Sequence, residues 1–480
     1  MLFNSYEFLL LFLPAVVAGY FAIARISTLG ANGFLAAASL FFYAWWRVDF
    51  VWILMASVAV NYLVGQKLSR DAAAGVTGKT VLGLGIAFNL GLLGYFKYAD
   101  FFISNINAVA GSHIGLLRVA LPLGISFFTF TQIAYLVDAW KGKAAEYSAT
   151  NYLLFVTFFP HLLAGPIIHH KEMMPQFSDP RLKRLDWENV ARGLALFTLG
   201  LGKKVLVADT LAPWANAGFA HAQSLSFADG WITVLAYAMQ LVFDFSGYTD
   251  MALGAALMLN IRLPANFNSP YRSADIQEFW RRWHITLSRF LRDYVYVPLG
   301  GNRFGEARML ALFVVTFAIG GFWHGAAWTY VIWGTLHGVA LVVLHFWRKL
   351  GRPLPRVVAI AITFLFVSAA WVVFRASSLG DAGAILSSIA GLHGVGLSLG
   401  VPEWGWIGRH AVPPAELATG VTTLATLALA LVLTFTPRNS NEIAASADFN
   451  PVRTRFAFGL LLAAGLAFVQ NATEFIYFIF

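Results

Sequence analysis

Cysteine is absent from all 480 residues. That excludes disulfides, Cys-ligated metals and any thiolate nucleophile or thioester on the chain's own side chains. Charge is scarce as well: Asp, Glu, Lys and Arg make up 12% of the chain and hydrophobic residues 59%, whereas soluble domains carry about a quarter charged residues. A water-soluble core cannot absorb that much apolar surface. The chain also lacks a fixed-period repeat, a Pro/Ser/Gly-rich linker and a polar stretch large enough for a soluble domain; its longest polar interruption is 262–308. The start, "MLFNSYEFLLLFLPAVVAGYF", has no basic n-region and carries Glu7, so it reads as a first spanning helix and not as a cleaved signal peptide.

What is present is apolar sequence in runs of about 20 residues, the length that crosses a hydrocarbon slab roughly 30 Å thick. Thirteen such segments are read, at 8–25, 32–46, 49–64, 80–98, 118–137, 150–168, 190–208, 229–258, 309–326, 328–347, 355–374, 419–436 and 455–470. Residues 1–480 are therefore expected to form a single all-α, polytopic integral membrane domain. The net charge of +9 sits in short connections, at 65–79, 169–190, 262–308 and 348–356. Basic loops of this kind stay on the cytoplasmic side. Because these residues flank spans and form no single stripe, anionic lipid is the expected partner and nucleic acid is not. The segment 379–418, whose only basic residue is Arg409, is expected on the opposite side.

Within 262–308, Ile276, Phe279, Trp280, Trp283, Leu287, Phe290 and Leu291 recur at steps of three and four. That spacing predicts one amphipathic helix lying in the cytoplasmic interface, its tryptophans at headgroup level and Arg281, Arg282, Arg289 and Arg292 mostly off the apolar face. A surface anchor explains this pattern, but not His284.

Between Arg308 and Arg348 there are 39 residues without Asp, Glu, Lys or Arg, enough for two spans and a turn. With both flanks basic, this is a helical hairpin entered and left from the cytoplasm. His324, 16 residues beyond Arg308, lies roughly 24 Å along a straight helix, deep in the bilayer. Gly320, Gly321 and Gly325 suggest a break near it. His324 and His337 are thirteen residues apart with no H-E-x-x-H, so zinc is a poor reading and no metal is expected. Two readings of His324 stand: a general base, or a histidine bonded between helices. For His337 the packing reading is favoured.

"FFPHLLAGPIIHH" (158–170) cannot be an undisturbed helix. Broken backbone at membrane depth must be buried in protein or line water. Asp244 and Asp250, in "VFDFSGYTDMALG", are either paired structurally, with His161 as one candidate partner, or line a polar path. Intramembrane carboxylates, histidines and glycine breaks also suit a proton-coupled transporter, the alternative function class; the missing two-fold repeat and the large amphipathic segment count against it.

The ordered set "SFFTFTQIAYLVDAWKGK" (126–143), "FFPHLLAGPI" (158–167), "DFSGYTDMALG" (244–254), "NFNSPYRSADIQEFWRRWHITLSRFLRDYVYVPLGGNR" (266–303) and "GFWHGAAWTYVIWGTLHG" (321–338) resembles the membrane-bound O-acyltransferase superfamily, in particular its bacterial alginate O-acetylation and teichoic-acid D-alanyl transfer branch. The resemblance implies about 11–13 transmembrane or re-entrant helices around a central funnel or tunnel. It implies acyl transfer from a cytoplasmic donor, with acetyl-CoA expected, through the inner membrane toward an exported polysaccharide, alginate first, by way of a periplasmic acetyltransferase or acyl-relay protein. It also places His324 as the essential histidine and His284 as a second one. Arg281, Arg282 and Arg289 then become candidates to hold the donor's phosphates, and Trp323, Asp244, Asp250 and His337 candidates to line the tunnel.

Overall fold

A computed structural model describes residues 1–145, 148–395, 414–469 and 475. Among these residues the chain is helical and contains no strand. Six helices are long and apolar enough to cross a membrane: Glu7–Ala24, Asp49–Ala73, Lys79–Ala110, Glu306–His324, Trp328–Lys349 and Arg356–Arg375. Shorter apolar helices, such as Thr28–Ala44 and Leu379–Ile389, accompany them. Within the 379–418 segment, residues 396–413, Arg409 among them, lie outside the described residues.

The chain divides into two compact units that interleave along the sequence. The first comprises Met1–Thr198, Thr249–Ala265 and Ala444–Phe458. Its helices are tied by polar side chains, as they must be where lipid supplies no hydrogen bonds. Asn61 and Asn89 exchange amide bonds at 3.1 and 2.6 Å, Gln132 donates to Ser57 at 2.9 Å, and Asn32 donates to Asn151 at 3.0 Å. The Lys183 ammonium reaches Tyr20 and Asn32 at 2.8 and 2.9 Å. The interrupted stretch 158–170 behaves as expected of broken backbone. The helix Ala149–Thr157 stops at Phe158, Pro160 opens the short turn Phe159–Leu162, and every residue from 158 to 170 is buried. His161 donates from Nε2 to the Phe155 carbonyl at 2.9 Å, so its partner is backbone and not an aspartate.

The second unit comprises Leu199–Tyr248, Asn266–Ile443 and Gly459–Phe480 and contains both histidines of interest. Its centre is the antiparallel hairpin of Glu306–His324 and Trp328–Lys349. The basic end is closed by Glu306, which pairs with His345 at 2.9 Å and with Lys349. Further along, the two backbones touch. A Cβ on Gly321 would collide with the Tyr330 carbonyl, one on Gly334 with the Phe317 carbonyl, and one on Gly338 with the Val314 backbone. These glycines therefore do not break the first helix, which continues without interruption to His324. They are the small residues that allow close helix–helix approach. Gly325 does end it: its backbone is extended, and any side chain there would enter the Tyr330 ring.

Gly321→Leu or Gly334→Leu is accordingly expected to separate the hairpin and lower the thermal transition of the detergent-solubilised protein by several degrees or more. Gly383→Leu, on a helix where a Cβ meets nothing, should leave it unchanged. Melting curves of the three variants make the comparison.

Candidate functional site

The stretch expected to form one amphipathic helix is two short ones. Asp275 caps Ile276–Arg282 by accepting from the Glu278 N–H at 2.8 Å, and the Glu278 carboxylate accepts from the Ala274 N–H at 2.8 Å, a reciprocal capping arrangement. The second helix, Ile285–Leu291, starts after a joint at Trp283 and His284. His284 occupies the left-handed region, φ 42° and ψ 53°, which side chains other than glycine, Asn, Asp or His seldom adopt. Apolar period alone could not show this joint. Trp280 and Trp283 also depart from the interfacial expectation: both are buried.

Asn266 holds the joint. Its Oδ1 accepts from the Thr286 N–H at 3.1 Å and the Thr286 hydroxyl at 2.8 Å, and lies 3.3 Å from His284 Nδ1. Its carbonyl accepts from the Ile285 N–H at 3.0 Å. Burial pushes the His284 imidazole down to about 3, so the ring is neutral.

The hairpin brings His324 to the same place. The His284 and His324 ring centroids are 6.3 Å apart, and Trp323 packs against both, at 6.2 and 4.9 Å. Trp333 and Phe374 complete the surroundings of His324 at 5.2 and 5.4 Å. His337 sits one layer away against Trp333 at 4.9 Å and accepts at Nδ1 from the Trp280 indole N–H at 3.3 Å, in keeping with a packing role.

A cavity of about 500 Å³ lies against Trp280 and the helix that His284 begins, and neither His284 nor His324 is among the residues that line it. Ile285 and Ser288, on the helix that His284 begins, form part of its wall, and four arginines contribute cationic lining: Arg281, Arg289, Arg292 and Arg348. Arg282 is engaged elsewhere, donating to Glu278 at 2.9 Å and to the Asn268 carbonyl at 3.1 Å. Of the three arginines expected to hold the donor's phosphates, Arg281 and Arg289 line this cavity and Arg282 does not; Arg348, from the hairpin's second helix, lines it as well.

The aspartates separate. Asp244 forms an ion pair with Lys204 at 2.7 Å, and Lys204 also meets Asp209 at 2.8 Å; all three are buried. Asp244 is thus paired structurally. Asp250 is buried within the first unit. Lys204 had a sequence signal that charge mapping of the loops passed over: with Lys203, it is a cation inside the apolar run 190–208. Asn266 had no comparable signal, since an asparagine in "PANFNSP" looks like part of a turn.

Comparison with known proteins gives a consistent group. The description "MBOAT, membrane-bound O-acyltransferase family" matches residues 125–379. The chain is similar to the peptidoglycan O-acetyltransferase of Helicobacter pylori, 42% identical over all of this chain and 98% of that protein. It is similar to the "probable alginate O-acetylase" of Azotobacter vinelandii, 42% identical over 79% of this chain and 76% of that one. The teichoic acid D-alanyltransferase of Bacillus subtilis is 29% identical over 52% of this chain and 68% of its own length.

Removing one member of a buried ion cluster leaves an uncompensated charge, at a cost of about 3–5 kcal/mol. Lys204→Met is therefore expected to lose most of the folded yield and thermal stability, and adding Asp209→Asn with Asp244→Asn should restore a large part of both. Size-exclusion profiles and melting curves read the two outcomes.

Proposed function

The chain belongs to the membrane-bound O-acyltransferase family, and we propose that it moves acetyl groups from cytoplasmic acetyl-CoA across the inner membrane for O-acetylation of an exported polysaccharide. Alginate is the first acceptor proposed, with a periplasmic acetyltransferase or acyl-relay protein receiving the group. Peptidoglycan is the second reading, because the relative bearing that name aligns along the whole chain. The relatives reported carry acyltransferase names, and nothing found supports the transporter alternative.

The observation that carries the proposal is the meeting of His284 and His324, 6.3 Å apart, beside a cavity lined by four arginines. Coenzyme A is a phosphorylated thioester carrier, and guanidinium groups are suited to its phosphates. With the thioester at the histidines, His324 takes the proton from the acceptor hydroxyl as its oxygen bonds to the carbonyl carbon. Collapse breaks the C–S bond, and the proton passes to the departing sulfur. An ester and a free thiol result. Direct transfer of this kind needs no nucleophile from the chain, which has no cysteine.

His324→Ala is expected to lower acetyl transfer from radiolabelled acetyl-CoA by about 10²–10⁴-fold with expression intact; full transfer by that variant would overturn the catalytic assignment. His284→Ala should slow transfer without altering topology, and wild-type turnover would return His284 to a packing role. Replacing Arg281 and Arg289 together by alanine should raise the KM for acetyl-CoA about tenfold, roughly 1.4 kcal/mol, with kcat little changed. An unchanged KM would assign both arginines to lipid headgroups.

A further inference from the structure

The hydrogen bonds around Asn266 define more than the shape of the joint. The Thr286 backbone N–H can only donate, and the Asn266 atom 3.1 Å from it is Oδ1; turning the amide over would set two donors against each other. The orientation of Asn266 is thereby fixed, and Oδ1 is the atom that faces His284 Nδ1 at 3.3 Å. An oxygen acceptor requires a donor opposite, so Nδ1 carries the hydrogen. In a neutral imidazole the second nitrogen, Nε2, then holds the lone pair. Asn266 and His284 are both fully buried, so no bulk water competes for these bonds. The Asn266 NH2 group has no partner among the described residues, so the oxygen alone holds this side chain.

We propose that Asn266 is a positioning residue that locks His284 as the Nδ1–H tautomer, so that His284 meets the reacting groups through the lone pair of Nε2, as an acceptor of protons or hydrogen bonds and never as a donor. A donor at that position would suit stabilisation of an oxyanion; an acceptor suits orientation of the acceptor hydroxyl or of the second imidazole. The left-handed backbone of His284 belongs to the same device. It turns the ring back toward the loop carrying Asn266, at a conformational cost that the three bonds to one oxygen offset.

The inference rests on the reading of His284 as part of the transfer machinery, and two measurements separate the two. His284→Ala tests that reading by turnover. The tautomer is read directly by nitrogen-15 magnetic resonance of histidine-labelled protein in bilayers, the His284 signals being assigned by difference from a His284→Gln sample. Nδ1 protonated and Nε2 bare is the expected wild-type result; the reverse overturns the proposal whatever the variants do. Asn266→Asp retains an oxygen acceptor for both Thr286 and His284, and should keep Nδ1 protonated and at least a third of the wild-type kcat. Asn266→Leu should lose the tautomer preference and at least tenfold in kcat, with KM for acetyl-CoA within threefold. Equal damage from Asp and Leu, or a wild-type kcat in the Leu variant, would reduce Asn266 to packing.

Discussion

Oδ1 of Asn266 gathers a backbone N–H, a hydroxyl and an imidazole at a point where the chain changes direction inside an apolar protein. A buried donor left without an acceptor costs about 1–3 kcal/mol, and this one oxygen serves three. With the oxygen in place, two short helices meet at a histidine held in an uncommon backbone state. Without it, the apolar period from Ile276 to Leu291 would favour one straight helix, on which His284 would fall at the edge of the apolar face. The same turn sets Ile285, Ser288 and Arg289 on the cavity wall, so one side chain bears on both the histidine and the neighbouring cavity.

The hairpin makes the other half of the arrangement by opposite means. At the middle of Glu306–His324 and Trp328–Lys349 bare backbone makes the contact, at Gly321, Gly334 and Gly338. Close approach leaves room on the outer faces for large rings, and Trp333, Trp371 and Phe374 fill it, the two indoles stacked at 5.3 Å. His324 therefore ends its helix among aromatic faces, where an imidazole packs edge-on at low cost. Elsewhere in the second unit, the Lys204 cluster shows the expensive solution to buried charge, in which one cation is shared by two carboxylates.

Membrane character, helical class and the hairpin were legible in the sequence because each rests on long-range composition: apolar length, loop charge and the 39 uncharged residues between two arginines. The interruption at Pro160 and Gly165 was legible for a local reason, since proline and glycine punctuate any apolar run. Placing His284 and His324 in one site came from resemblance; periodicity could not bring residues 40 positions apart together. Three features were not legible. The break at Trp283–His284 is imposed by Asn266, a tertiary contact that overrides helical propensity. The role of the hairpin glycines depends on which face meets the partner helix. The pairing of Asp244 with Lys204 required knowing that two apolar runs come together. The departure of Arg282 from the cavity wall has a similar reason, as Glu278 captures it.

Backbone-to-backbone contact along the hairpin has a mechanical corollary. Helices separated by side chains can slide, because rotamers absorb small shifts; helices in direct main-chain register have no such slack. The imidazole at position 324 is thus mounted on a stiff post, and any motion that opens or closes its surroundings must be performed by the elements around that post.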